Sequence, residues 1–292
     1  MSIFGSGGLG FGGYGSGGGR RSGCATIIGI AIIVIGIVGY YSKSTINPVT
    51  GEKQHVGDIT PQQEVALGLQ AAPEMTAKMG GEVPASNPDA QTVKRIGAYV
   101  VSHSVAEKSG YPYDFHLLAD PQTVNAFALP GGQVFITKAL YDKLDDEAEL
   151  AGVLGHEVGH VVNRHSAEHM AKGQLGQMIV TGVGVAASDR NNGYTAAVIA
   201  QVAEQGIMLK FSRNDESEAD AFGLRVMTES GFDPRAMIDV MKILEKATGS
   251  SGRAPEFMVT HPYPEHRIEQ IQQWLTDHPG AADRMTRGRK LH

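Results

Sequence analysis

Two histidines and a glutamate fall within five residues, His156-Glu157-Val158-Gly159-His160. A random arrangement of this composition would contain that spacing roughly 0.02 times, so the match is suggestive and its context must decide. On an α-helix the two imidazoles lie about 40° apart on one face, where both can reach a single metal ion. Glu157 stands beside them, placed to take a proton from an attacking water rather than to bind the ion. The competing reading is a surface helix with two incidental histidines.

A catalytic zinc takes a third protein ligand and keeps one position open. His165 and His169 fall at about 180° and 220° on the same wheel, pointing away from the ion. A metzincin extension would need glycine and histidine where the chain has Asn163 and Ser166. The better third ligand is Glu216, in Glu216-Ser217-Glu218-Ala219-Asp220. Glu216 and Asp220, four apart, share a helical face, while Glu218 points elsewhere. Asp220 is then placed to accept the outer ring N–H of a ligand histidine. Taken alone, an acidic helix face is most often merely solvated.

These residues need rigid elements under them. Asp146 caps a helix with Glu149 in the reciprocal position of a capping box, and Leu150, Val153, Leu154, Val158 and Val161 give it apolar positions to bury. Thr60-Pro61-Gln62-Gln63 and Asn87-Pro88 open two earlier helices. Short strands are expected over 113–118, 123–129 and, after the Pro130-Gly131-Gly132 turn, 133–137. Further helices are expected near 194–209, 214–230, 234–247 and 265–277. The fold class is α+β, mostly helical with a small sheet. Leu175–Ala187 is apolar, but its thirteen residues and five interruptions read as a core or membrane-surface helix rather than a second span.

The front of the chain is different. Eleven of the 38 glycines lie in the first 23 residues, a stretch that cannot bury enough surface to order itself. Cys24–Tyr41 carries no charge; as a helix it is about 27 Å long, close to the hydrocarbon thickness of a bilayer. Tyr40 and Tyr41 suit the interface, and no small-x-small cleavage site follows. The expected organisation is a glycine-rich tail (1–23), an anchor (24–41), a linker (42–59), one catalytic domain (60–277) and a basic tail (278–292). Arg20 and Arg21 lie closer to the anchor than Lys43 and Lys53, which favours a body outside the cytoplasm. A net charge of −6 argues against nucleic acid as partner, and a single cysteine excludes a disulfide framework or cysteine-based zinc site.

His156-Glu157-x-x-His160, then Phe211-Ser212-Arg213-x-x-Glu216-x-Glu218-Ala219-Asp220, then Thr260-His261-Pro262 with Arg267-Ile268, resembles the membrane-associated gluzincin peptidases. These include the heat-shock protease HtpX, the CAAX prenyl protease and the BepA/LoiP-type envelope proteases. Asn125-Ala126-Phe127-Ala128-Leu129-Pro130-Gly131-Gly132 is similar to the stretch preceding that family's active-site helix, and Asn47-Pro48-Val49-Thr50-Gly51 to the lead-in of its envelope members. The resemblance implies a gluzincin domain with one Zn2+ on His156, His160 and Glu216, Glu157 as general base and Asp220 behind a ligand. It implies a sheet edge at Gly132–Ile136 on which substrate lies extended, with Asn125, Ala126, Gly132, Gln133 and Val134 as substrate-binding residues. His261 would stabilise the oxyanion or occupy the open metal position, and Arg267 would pair with a carboxylate. The chain shows one candidate span and no C-terminal repeats, which points to the singly anchored envelope members. The implied activity is zinc-dependent cleavage of misfolded or unassembled envelope proteins, from the bacterial inner membrane with the catalytic domain periplasmic. The alternative is a metal-containing chaperone with little proteolysis.

Overall fold

The computed structural model describes residues 21–187, 211–251, 256–261, 267–283 and 285–292. The glycine-rich run over 1–20 and the helix expected at 194–209 lie outside them. At the centre is α5 (Glu147–Val162), every residue of which is buried. A helix buried all round needs partners on each side. They are α3 (Pro88–Ser102), the sheet, α7 (Arg213–Glu229) and α8 (Ala236–Ser251). Val93, Ile96 and Val100 of α3 and Met237, Met241 and Leu244 of α8 join Leu150, Leu154 and Val158 in one core. Helices α5 and α7 approach most closely where side chains are smallest. A Cβ at Gly159 would lie 2.9 Å from the Ala219 carbonyl oxygen, and one at Gly155 3.0 Å from Val226.

Both ends of α5 are closed by distant chain. At its start the Asp146 side chain accepts from the Glu149 N–H, but Glu149 does not close the expected box on Asp146. Its carboxylate takes the Asp145 N–H at 2.6 Å and Arg287 at 2.9 Å. The N–H groups of Glu147 and Ala148 donate to the carbonyls of Arg289 and Arg287, satisfying donors that a helix start leaves free. Residues 285–292, part of the expected basic tail over 278–292, are therefore packed onto the domain, with Arg287 also 2.9 Å from both Asp146 and Asp239. At the far end, Asn47 Nδ2 donates to the Val162 carbonyl (2.7 Å) and Gln54 Nε2 to that of Asn163 (2.5 Å). Asn47 directly follows and Gln54 ends a strand of a small ribbon, β1 (Thr45–Ile46) paired antiparallel with β2 (Lys53–Gln54). The stretch 42–59, expected as an exposed linker, thus buries Asn47, Gln54 and Val56.

The main sheet contains β3 (Asp114–Leu118), β4 (Ala126–Leu129) and β5 (Gln133–Thr137) in the order β3-β5-β4, with β3 parallel and β4 antiparallel to β5. This corrects the expected edge. β5 is paired on both sides and buried throughout, as its unbroken Val134-Phe135-Ile136 run suits. Among the described residues the outer side of β4 pairs with no strand, while the outer side of β3 carries an isolated bridge from Leu118 to Glu82. Gly131 (φ 81°) and Gly132 (φ 107°) turn β4 into β5. Helix α2 (Pro61–Lys78) crosses this turn so closely that a Cβ at Gly68 would fall 2.0 Å from the Pro130 oxygen.

After α5, Arg164 takes the left-handed conformation (φ 56°) and redirects the chain into α6 (His165–Ala187). Its guanidinium is fixed to Glu64 (2.9 Å) and the Ile59 carbonyl (2.6 Å). α6 lies along α1 (Arg21–Ser42), whose Cys24–Ser42 window, mean hydropathy 2.3, is long and apolar enough to cross a membrane. The remaining elements are a 3-10 turn (Val105–Ser109), α4 (Lys138–Tyr141), α9 (Glu256–Thr260) and α10 (Arg267–Asp277).

Candidate active site

The histidines leave one face of α5 with their Nε2 atoms 3.1 Å apart. Glu216 comes from the first turn of α7, whose start is fixed by reciprocal bonds between Ser212 and Asp215. Its carboxylate oxygens lie 3.5 Å from His156 Nε2 and 3.5 Å from His160 Nε2. Ligands held about 2.0–2.1 Å from a tetrahedral centre are themselves about 3.3–3.4 Å apart. Each separation is close to that spacing, the Glu216 contacts running through Oε2 to His156 and through Oε1 to His160. His261, at the end of α9, brings Nδ1 to 3.1 Å from Glu216 Oε1 and 3.4 Å from His156 Nε2. The four side chains form one buried group able to hold a metal ion.

Glu157 is fully buried, and neither carboxylate oxygen makes a well-formed hydrogen bond, although the Ala128 backbone N–H lies near enough to favour its charge; His261 Nε2, 3.7 Å from Glu157 Oε1, also lacks a partner. Orphaned buried groups cost about 1–3 kcal/mol each, so their convergence beside three side chains able to hold a metal ion needs a reason. An ion and a reacting oxygen would supply it, and nitrogen with carboxylate donors suits zinc. The electrostatics agree. Burial works against charge on His156, but Asp220 and Glu216 outweigh it and raise the ring to about 9. Burial would likewise raise Glu216, yet His156 and His261 hold its carboxyl well below the usual range. Burial, with the nearby His156 and His261, pushes His160 well down, leaving its ring neutral. The buried carboxylates of Glu216 and Asp220 thus favour positive charge beside them.

Behind the cluster, Asp220 Oδ1 is 2.8 Å from His156 Nδ1, and Arg267 Nε donates to Asp220 Oδ2 at 2.7 Å. Arg267, almost completely buried, also sits 3.3 Å from Glu216. Phe211 stacks on His160 (ring centroids 4.0 Å) and Phe257 on His261 (4.5 Å), fixing both rings.

His165 was placed by sequence on the far side of a continuous helix. The structure instead ends α5 before it, and the turn at Arg164 brings its Nδ1 to 2.9 Å from His160 Nδ1, with its Nε2 3.1 Å from Glu218. Sequence reasoning thus missed a His160–His165–Glu218 chain. Its available signal was Asn163, a residue type common where helices stop. His169 pairs with Asp215 at 2.7 Å, away from the cluster.

The substrate-binding candidates divide. Gly132, Gln133 and Val134 lie at or in the interior strand β5. Asn125 and Ala126 lie at the start of the edge strand β4, and the Asn125 amide is fully buried with neither Oδ1 nor Nδ2 partnered. Along this edge runs a cleft of about 260 Å³, walled by Leu67 and Met75 of α2, Phe127 and Leu129 of β4, and His261. A larger hollow of about 820 Å³, beyond α7 near Trp274, contains none of the cluster residues.

Residues 88–275 match peptidase family M48. The chain is 32% identical over 248 residues to the mitochondrial metalloendopeptidase OMA1 of Schizosaccharomyces pombe, covering 85% of this chain and 71% of that protein. It is 36% identical over 185 residues to the beta-barrel assembly-enhancing protease of Escherichia coli, covering 61% of this chain and 37% of that protein. The OMA1 of Saccharomyces cerevisiae is 28% identical over 254 residues, covering 81% and 70%.

Proposed function

The chain belongs to peptidase family M48 and is a metalloendopeptidase, and we propose that it uses one zinc ion on His156, His160 and Glu216 with Glu157 as general base. The observation that carries this is the Glu157 carboxylate, buried without a well-formed hydrogen bond beside those three side chains. When bound, the ion supplies Lewis-acid polarisation of the scissile carbonyl and makes water more acidic. Burial raises the Glu157 carboxyl above its usual range, despite His261 and His156 nearby, which gives it the affinity a general base needs. Glu157 takes the proton as the water oxygen adds to the carbonyl carbon. It then gives that proton to the departing amide nitrogen as the C–N bond breaks. Asp220 and His165 hold the outer nitrogens of the two ligand rings. His261 Nε2 donates to the oxyanion, and its Nδ1, close to Glu216, also suits a fourth-ligand resting state.

The free edge of β4 offers main-chain pairing to an extended polypeptide, and Asn125 offers it an amide. Recognition of this kind demands little of sequence and favours unfolded chains. The substrates proposed are misfolded or unassembled membrane and envelope proteins. α1 is proposed as a single-pass anchor in a bacterial inner membrane with the catalytic domain on the periplasmic side, supported by the arginine pair before it. Glu157→Gln is expected to retain zinc and lose cleavage of unfolded casein. Turnover by that variant near the parent rate would remove Glu157 from the mechanism.

A further inference from the structure

We infer that α6 enters the membrane beside α1, so that lipid hydrocarbon covers the outer face of a two-helix unit. This rests on α1 spanning the bilayer. Among the described residues of α1, Gly29 and Gly36 are the buried ones, seven apart on one stripe, while Ile27, Ile35 and Val38 are more than half exposed. α6 packs on that stripe. A Cβ at Gly29 would lie 2.3 Å from the Gly182 oxygen, one at Gly182 2.6 Å from the Gly29 oxygen, and one at Gly36 3.1 Å from Met178 Cβ. Such close backbone approach at small residues is how helices associate where lipid surrounds them.

The helices run antiparallel, which fixes depth. Tyr40 stacks on His55 (5.2 Å), whose backbone N–H donates to Glu168 at 2.7 Å. Tyr40 is therefore near the level where α6 leaves the catalytic domain, with Lys172, Gly173 and Gln174 exposed. Gly36 faces Leu175 and Met178, and Gly29 faces Gly182 and Ala186. Gly29 is twelve residues from Tyr41, about 18 Å along the helix, past the midplane of a hydrocarbon layer about 30 Å thick. A helix packed against Gly29 shares its depth. The composition of α6 agrees. Beyond Gln177 it has no charge, and its one hydroxyl, Thr181 Oγ1, is satisfied by the Gln177 carbonyl at 2.8 Å. Val183 is 55% exposed, continuing the apolar exterior of α1. Thirteen residues are too few to cross a bilayer from outside, but a helix that starts in protein and leans on another need supply only its own embedded part. The same arrangement sets the ligand cluster at the foot of α6, against the membrane surface, and favours substrates already held there.

The test uses the full chain with Cys24→Ser, which removes its only thiol. Single cysteines are placed at Val183, at Val34 of α1 and at Ser86, exposed on the catalytic domain. Each is exposed to a membrane-impermeant maleimide in open membrane fragments. Ser86→Cys should label at once, and Val34→Cys and Val183→Cys at least tenfold more slowly until detergent is added. Rapid labelling of Val183→Cys with Val34→Cys protected would overturn the inference and leave the anchor standing. Rapid labelling of both would remove the anchor on which it rests.

Discussion

Gly159→Ala probes whether helix approach sets the metal site. The new methyl would stand 2.9 Å from the Ala219 oxygen and 3.0 Å from its Cα, both backbone atoms that cannot swing aside. Ordinary contact begins about 0.5 Å farther out, so α5 and α7 must part by about that much. Glu216 rides on α7, three residues before Ala219. Applied in full, the shift widens the 3.5 Å separation from His160 to about 4 Å, beyond the roughly 3.3–3.4 Å a tetrahedral ion spans. Overpacking of this kind costs about 1–3 kcal/mol. An ion that draws the helices back together must supply that strain from its binding energy, which weakens affinity roughly 5- to 150-fold. Competition against a chelator of known affinity measures the loss, and thermal unfolding of the metal-free protein measures the packing cost. Gly173→Ala is the control. It has nothing within 4 Å of the added Cβ and reports only the gain in helix propensity, up to about 1 kcal/mol. A destabilised Gly159→Ala protein with metal affinity within twofold of the parent would refute the link between helix approach and ligand geometry.

Two further outcomes concern the supports of α5. Arg287→Ala leaves the buried Asp146 and Glu149 carboxylates without their shared cation; as Arg287 is itself one-third exposed, the expected loss is about 2 kcal/mol rather than the larger cost of a fully buried pair, read by urea unfolding. Burial would raise Asp233, but Arg235 and its backbone N–H outweigh it and hold the carboxyl below the usual range. Its charged form therefore stabilises the fold above the ordinary carboxylate value, and the contribution disappears as pH falls through the lower folded value. Asp233→Asn should melt below the parent at pH 7, and the gap should narrow as pH falls below the ordinary carboxylate value; a deficit unchanged with pH would assign the loss to packing instead.

What could be read from sequence was whatever repeats or pairs locally. The start of α5 and the one-face placement of His156 and His160 follow from capping and a 3.6-residue period, and Glu216 with Asp220 from a four-residue step. What failed depended on partners far along the chain. Asn47 and Gln54 are buried because they cap carbonyls more than a hundred residues away. Residues 286–290 are ordered because they close the other end of the same helix. The order β3-β5-β4 leaves no local mark, so β5 was taken for the edge. His165 was misplaced because the wheel was continued across Arg164, where a single left-handed residue resets the phase.

With α6 in the bilayer, its first two turns become a measuring rod. His165 touches a ring of the cluster, and Lys172 marks the last level before lipid. The seven steps between them rise about 10 Å. Extended chain covers that height in about three residues. A polypeptide still threaded through the membrane could reach β4 only after about three residues had cleared the surface, which sets a minimum distance between its embedded segment and the bond cut. Inserting one helical turn before Lys172 would raise that minimum by about 5.4 Å, nearly two residues of substrate, without altering any side chain of the cluster.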